Sequence, residues 1–180
     1  LWPKGPNLLK PAYQIFIRFR TYEVALQFDL TKAYWTIKTT EEETFLRLLL
    51  WRYGKAQEDW RVFGYIRVAF GDRPAMAILE VGKDMAAELG KSIDPQAASI
   101  ISEDSYCDDG LGGGSEEEVT RMMGECTVKE DGTLSFSGTL SSVLATVGFK
   151  PKMIIKSGEN HPAALEKSGG SVLGHAWDPS

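Results

Sequence analysis

Histidine and cysteine are scarce: the 180-residue chain holds only His161, His175, Cys107 and Cys126. Two cysteines exclude a disulfide scaffold and a four-ligand zinc site, and the two histidines lack metal-ligand spacing. A reduced, cytoplasmic setting inside the cell is the expectation. Long apolar runs are also missing, because Phe45–Trp51 is interrupted by Arg47. That excludes a membrane-spanning helix, and no membrane partner is expected. There is no leader pattern and no methionine at Leu1, so a segment of something longer is expected. Positive charge runs short after the first third: residues 1–67 carry a net +4 and residues 68–180 a net −9. An acidic chain is a poor stand-alone binder of nucleic acid. It suits the metal-holding part of a larger enzyme whose basic parts lie elsewhere.

What is present describes one globular domain. With 43% hydrophobic and 25% charged residues, the chain is neither disordered nor collagen-like, and its length can bury a core. Pro11 to Arg20 reads as a helix with proline in its first turn. Tyr22–Asp29 alternates Val24, Leu26 and Phe28 against Glu23, Ala25 and Gln27, which predicts a strand ending on a carboxylate. Thr44–Trp51 and Trp60–Val68 read as strands paired across a turn containing Gly54. Pro74 to Leu89 is helical, with Ala75, Ile78, Leu79, Gly82, Met85, Ala86 and Leu89 at helical spacing. Asp94-Pro95 opens a third helix, and Ser115 followed by Glu116–Glu118 opens a fourth. Between them, Ser105–Leu111 predicts two short strands with Asp108 and Asp109 in the turn. Gly110–Gly114 lacks the Gly-Lys-Ser/Thr ending of a phosphate loop and is expected to be a flexible loop. A strand near Leu134–Phe136, a helix near Ser141–Thr146, a strand over Phe149–Ile155 and a short strand over Val172–Trp177 complete the pattern. Strands and helices in this order predict an α+β fold with helices packed on one face of an antiparallel sheet.

The chemistry-bearing feature is Asp29 at a strand end together with Asp108-Asp109 in a hairpin turn. Phosphoryl transfer by two Mg²⁺ ions needs carboxylates converging from separate rigid elements. Taken alone, Asp108-Asp109-Gly110 reads first as a simple turn, since Asp and Gly are common turn formers. The runs Glu41–Glu43 and Glu116–Glu118 read as solvated helix starts.

Phe28-Asp29-Leu30-Thr31-Lys32-Ala33-Tyr34 and Tyr106-Cys107-Asp108-Asp109 resemble motifs A and C of reverse transcriptases. Gly5-Pro6-Asn7-Leu8-Leu9, Arg18-Phe19-Arg20, Phe45-Leu46-Arg47, Leu50-Trp51-Arg52, Phe70-Gly71-Asp72-Arg73-Pro74 and Val172-Leu173-Gly174 narrow the likeness. Together they resemble the polymerase of BEL/Pao-type long-terminal-repeat retrotransposons, in order and over nearly the whole chain.

The resemblance implies a polymerase palm over residues 1–180, with a remnant of the fingers on its N-terminal side. The remaining fingers, thumb, connection and RNase H regions would belong to other parts of a parent polyprotein. It implies RNA-directed DNA polymerisation on an RNA or DNA template with a primer and dNTPs. The cofactor would be two Mg²⁺ ions, with Mn²⁺ as a substitute. Asp29 and Asp108 would be the main metal ligands, the Leu30 carbonyl an auxiliary one and Asp109 a third carboxylate. Tyr34 matches the steric gate that clashes with a ribose 2′-hydroxyl; without the resemblance it reads as a buried aromatic. Phe70, Gly71 and Arg73 match the loop and helix start that contact the incoming nucleotide. Pro74 follows Gly71 by three positions, a shorter loop than the family's, so the family's serine contact does not transfer. Lys152, beside Lys150, matches a lysine that assists the leaving pyrophosphate; without the resemblance the two read as a solvated basic strand edge. Leu173-Gly174 matches the primer grip. The competing expectation is an inactive or domesticated palm kept as an interaction module.

Overall fold

The computed structural model describes residues 3–54, 59–158, 171–172 and 175–176. In chain order come α1 (Ala12–Phe19), β1 (Val24–Leu30), α2 (Ala33–Thr36), α3 (Glu41–Thr44), β2 (Leu48–Trp51) and β3 (Arg61–Gly64). Then follow α4 (Ala75–Gly90), α5 (Pro95–Glu103), β4 (Ser105–Tyr106), β5 (Asp109–Gly114), α6 (Glu116–Met123) and β6 (Cys126–Val128). The last are β7 (Leu134–Phe136), α7 (Thr139–Ala145), β8 (Pro151–Lys156), β9 (Ser171–Val172) and β10 (His175–Ala176). The fold is α+β. Four strands in the order β4-β5-β1-β8, each antiparallel to its neighbours, form a sheet backed by helices.

Alternation along β1 decides what covers each side. Val24, Leu26, Phe28 and Leu30 enter the main core with Leu79 and Ala86 of α4, Ile100 and Ile101 of α5, and Leu140 and Leu144 of α7. Ala25 faces the other way, where Ile15 and Phe19 of α1 pack with Leu111. Helices therefore cover both sides of the sheet rather than one. The small second cluster needs only the narrow apolar stripe of α1.

The glycine run is the largest departure from expectation. Residues 110–114 form the interior of β5, paired with β1 throughout, and not a flexible loop. Glycine is required because neighbours fill the space a side chain would take. A Cβ at Gly110 would lie 2.0 Å from Phe28 Cε1, and one at Gly112 would lie 2.5 Å from Ile100 Cγ2. The large side chains come from the partner elements, so β5 is free of them. Gly112→Val is expected to destabilise the protein by about 3 kcal/mol through overpacking. Urea unfolding checks it.

Helix α4 also departs from its expected stripe. Met85 and Leu89 are exposed, whereas Ala77, Ala87 and Gly90 are buried together with the charged Glu80 and Lys83. Small residues let α7 approach closely: a Cβ at Gly90 would lie 2.2 Å from Val143 Cγ1.

Capping follows the sequence signals. Thr40 with Glu43 and Ser115 with Glu118 each form a reciprocal capping box. Asp94 caps α5 through the Gln96 and Ala97 N–H groups, at 3.0 and 3.2 Å. It also accepts from Arg121 Nε at 3.0 Å and Thr139 Oγ1 at 2.5 Å, tying α5, α6 and α7 together. Burial pushes the Asp94 carboxyl up, but the Thr139, Arg121 and Ala97 hydrogen bonds outweigh it and leave it below its ordinary value. A depressed carboxyl stabilises the fold above the unfolded carboxylate range and loses that contribution as pH falls through the folded value. Asp94→Ala is therefore expected to cost about 2–3 kcal/mol at neutral pH. In denaturant melts, the gap to the parent protein should close in acid.

The β2–β3 hairpin stands off this core with Leu48, Leu50, Trp51 and Val62 exposed. At its base Arg47 Nη1 donates to Asp72 Oδ2 at 2.8 Å and to the Arg67 carbonyl at 2.7 Å. No helix among the described residues is long and apolar enough to cross a membrane.

Candidate functional site

Asp29 in β1 lies directly opposite Asp109 in β5. The Leu30 N–H donates to the Asp108 carbonyl at 3.0 Å, which marks the neighbouring register step as hydrogen-bonded. Antiparallel ladders alternate, so Asp29 and Asp109 form a non-hydrogen-bonded pair, the closer kind, with Cα atoms about 4.5 Å apart. Both carboxylates leave the same face of the sheet, the face on which α1 packs. One expectation needs correcting here. Asp109 belongs to the strand, and the two-residue turn is Cys107-Asp108, because Tyr106 pairs with Asp109.

That turn is backbone-strained. Cys107 has φ +55°, a left-handed value normally taken by glycine at the first position of such hairpin turns. A built support lies beneath it. Lys83 Nζ donates to the Cys107 carbonyl at 2.8 Å and contacts Glu80 Oε1 at 2.7 Å. The Cys107 thiol donates to Met76 Sδ at 3.4 Å. Met76, Glu80 and Lys83 stand at i, i+4 and i+7 of α4, one face of the helix. Burial pushes the Cys107 thiol up to about 11 against the opposing pull of Lys83, so it stays protonated at neutral pH. A packing role fits that state, and a nucleophilic one does not.

Lys152 reaches the site by a bulge. Asp29 opposes Met153 while Leu30 opposes Pro151, which leaves Lys152 as the extra residue of β8. Bulges of this kind re-aim side chains. Here the Lys152 ammonium comes 3.2 Å from Asp29 Oδ2 with its own side chain 55% exposed. A solvated pair of this sort adds little stability and yields readily to a competing cation.

Tyr34 sits beside the turn. Its hydroxyl donates to Met76 Sδ at 3.5 Å, and its ring meets Phe70 edge-on with centroids 5.7 Å apart. Burial first, then the nearby Cys107 and Asp108, push its phenol up to about 12, so the ring is neutral. Phe70 is 84% exposed, and Gly71 turns the chain at φ +93° with open space where a Cβ would stand. Asp72 holds this loop by accepting from the Ala69 N–H and from Arg47, both at 2.8 Å. Arg73 is exposed and makes no ion pair among the described residues. Leu173 and Gly174 lie outside the described residues, and β9 and β10 on either side of them form a two-stranded antiparallel pair.

Asp29, Asp108, Asp109, the Leu30 backbone and Lys152 are thus brought to one rim, with Tyr34 and Phe70 next to it. Oxygen donors of this kind suit Mg²⁺, which takes one or two carboxylates and fills its shell with water and phosphate. Among the described residues, no three acidic, cysteine or histidine side chains are grouped tightly enough to hold an ion as they stand. Sequence reasoning missed Glu80, Lys83, Met76 and Asp72. The only available signal was Glu-x-x-Lys within α4, a spacing that usually marks a solvated pair.

No protein-family model matches the chain, and no curated protein matches it.

Proposed function

We propose that this chain is the palm of an RNA-directed DNA polymerase of the retrotransposon type, competent only with the rest of its parent polyprotein. The observation that supports this most is the cross-strand pairing of Asp29 with Asp109, with Asp108 on the adjoining strained turn. Carboxylates on two paired strands are held far more rigidly than carboxylates on loops. Asp29, Asp108 and the Leu30 carbonyl would hold two Mg²⁺ ions, with Asp109 as the nearby third carboxylate. When bound, the ions supply charge neutralisation for phosphoryl transfer and acidify the primer 3′-hydroxyl.

The chain's own residues do the rest in this reading. The primer 3′-hydroxyl gives its proton to solvent as its oxygen bonds to the α-phosphorus, and the bond from that phosphorus to the oxygen shared with the β-phosphate breaks to release pyrophosphate. Lys152, held beside Asp29 at the rim, would donate a proton to the leaving pyrophosphate. Tyr34, neutral and wedged against Met76 and Phe70, packs under the sugar and excludes a 2′-hydroxyl. Phe70, Gly71 and Arg73 face the base and template backbone, and Leu173-Gly174 steadies the primer. The exposed β2–β3 hairpin is the fingers remnant.

Primer extension on an RNA template tests the reading, using the chain extended at both ends by its flanking reading frame. Mg²⁺-dependent synthesis that stops with EDTA is the expected result. No synthesis from a folded protein would overturn it and favour an inactive interaction module. The Asp29–Lys152 ion pair is the observation that module would rest on.

A further inference from the structure

The turn that carries Asp108 is one of two related forms, and the backbone shows which. Tyr106 pairs with Asp109, so Cys107 and Asp108 are its two central residues. Two-residue hairpins close as type I′, with both central residues at positive φ, or as type II′, with only the first. Among the described non-glycine residues only Lys32 and Cys107 have positive φ, so Asp108 does not, and the turn is type II′.

That form runs against the sequence. Type II′ asks for glycine at its first central position, and this chain has Cys107 there. Type I′ would place Cys107 in the left-handed α region, which side chains tolerate better, and Asp108 in positive φ, which aspartate accepts more readily than most residues. The two forms interconvert by rotation of the single peptide between Cys107 and Asp108. Rotation reverses the Cys107 carbonyl and carries φ of Asp108 from about −80° to about +90°. The Asp108 Cβ, and the carboxylate with it, would then leave the backbone in a new direction.

The peptide that would rotate is the one Lys83 holds. Its Nζ donates to the Cys107 carbonyl at 2.8 Å, and Glu80 Oε1 lies 2.7 Å from the same nitrogen. Lys83 is 1% exposed and Glu80 2%, so the ammonium has no water to turn to if that carbonyl swings away. A hydrogen bond from a charged donor is roughly twice as strong as a neutral one, and a buried donor left without its acceptor is costly. On the other side the Leu30 N–H holds the Asp108 carbonyl at 3.0 Å, which ties the outgoing end of the turn to β1 and leaves the central peptide to Lys83. We propose that Lys83, braced by Glu80, is a positioning residue that selects the type II′ turn and so aims Asp108 at the rim. What this does for synthesis rests on the polymerase reading; what it does for the turn does not.

Glu80→Leu combined with Lys83→Met removes the brace without stranding a buried charge, so the fold is kept. Residual dipolar couplings in the 180-residue chain report the direction of each backbone N–H. In the double variant the Asp108 N–H is expected to reorient, while those of Asp29 and Gly112 in the flanking strands stay as they are. Adding Cys107→Gly should return it, because glycine takes the first position of a type II′ turn without strain. In the chain extended by its flanking reading frame, the double variant should lower kcat of primer extension about a hundredfold at unchanged KM for dNTP, the scale of a misplaced reacting group. Cys107→Gly should recover most of that loss. A merely structural role predicts neither the confined reorientation nor its reversal by glycine. The proposal is overturned by an unmoved Asp108 N–H in the double variant, by a reorientation that Cys107→Gly does not reverse, or by undiminished kcat once the N–H has moved. An extended parent protein that makes no product would fail the polymerase reading, and the Asp108 coupling would still decide whether Lys83 selects the turn.

Discussion

Lys83→Met is expected to cost about 3–5 kcal/mol of folding stability, measured by urea unfolding at neutral pH. Lys83 is 1% exposed and Glu80 2%, so neither charge has water to fall back on. Burial pushes the Lys83 ammonium down and the Glu80 carboxyl up, and their mutual attraction opposes both shifts. Methionine matches the lysine stem in length but leaves Glu80 buried without its cation. The carboxyl then answers by taking a proton. A group whose folded pKa is raised contributes stability at low pH and loses it as pH rises through the folded value. The penalty in Lys83→Met should therefore shrink in mild acid. Adding Glu80→Leu should recover most of the loss, since replacing both buried partners with apolar residues is far less costly than removing one. A residual deficit should remain, because the Cys107 carbonyl loses its donor while its residue keeps φ +55°. A Lys83→Met protein as stable as the parent would show that the turn stands without this support.

These two residues also explain where the sequence could and could not be read. Helix ends were legible because caps are local: Thr40 with Glu43, Asp94 with Pro95 and Ser115 with Glu118 each declare a start within four residues. The carboxylate pair was legible because a strand ending on Asp29 and a turn around Asp108 each have their own short signature. Their register was not, since nothing within either segment states that Asp29 opposes Asp109. The glycines of β5 read as a loop because their meaning lies in Phe28 and Ile100, far away in the chain. Glu80 and Lys83 read as a solvated pair for the same reason: the carbonyl they serve belongs to Cys107. Strand β6 and the bulge at Lys152 left no pattern of their own, because both exist only through a partner strand. Local chemistry is written locally, and long-range burial is not.

Asp29→Asn and Asp108→Asn are each expected to lower Mg²⁺-dependent primer extension by roughly a thousandfold, the scale of losing one charge-stabilising group at a reacting centre. Asparagine keeps the size and one oxygen of the side chain, so the loss isolates charge from shape. Folding should hardly change. The Asp29–Lys152 pair is solvated on the lysine side and worth at most about 1 kcal/mol. Removing one of several like charges at the rim also relieves repulsion. Unfolding midpoints close to the parent's, alongside a lost activity, would therefore assign both residues to chemistry. Extension within about tenfold of the parent would remove them from it. Lys152→Gln supplies the opposite perturbation at the same atoms. It frees Asp29 Oδ2 from its cation, so Mn²⁺ should bind more tightly while pyrophosphate loses its proton donor and synthesis slows. Tighter metal binding with slower synthesis cannot arise from general damage to the rim. That combination would separate a lysine competing for the carboxylate in the resting protein from one serving the leaving group during transfer.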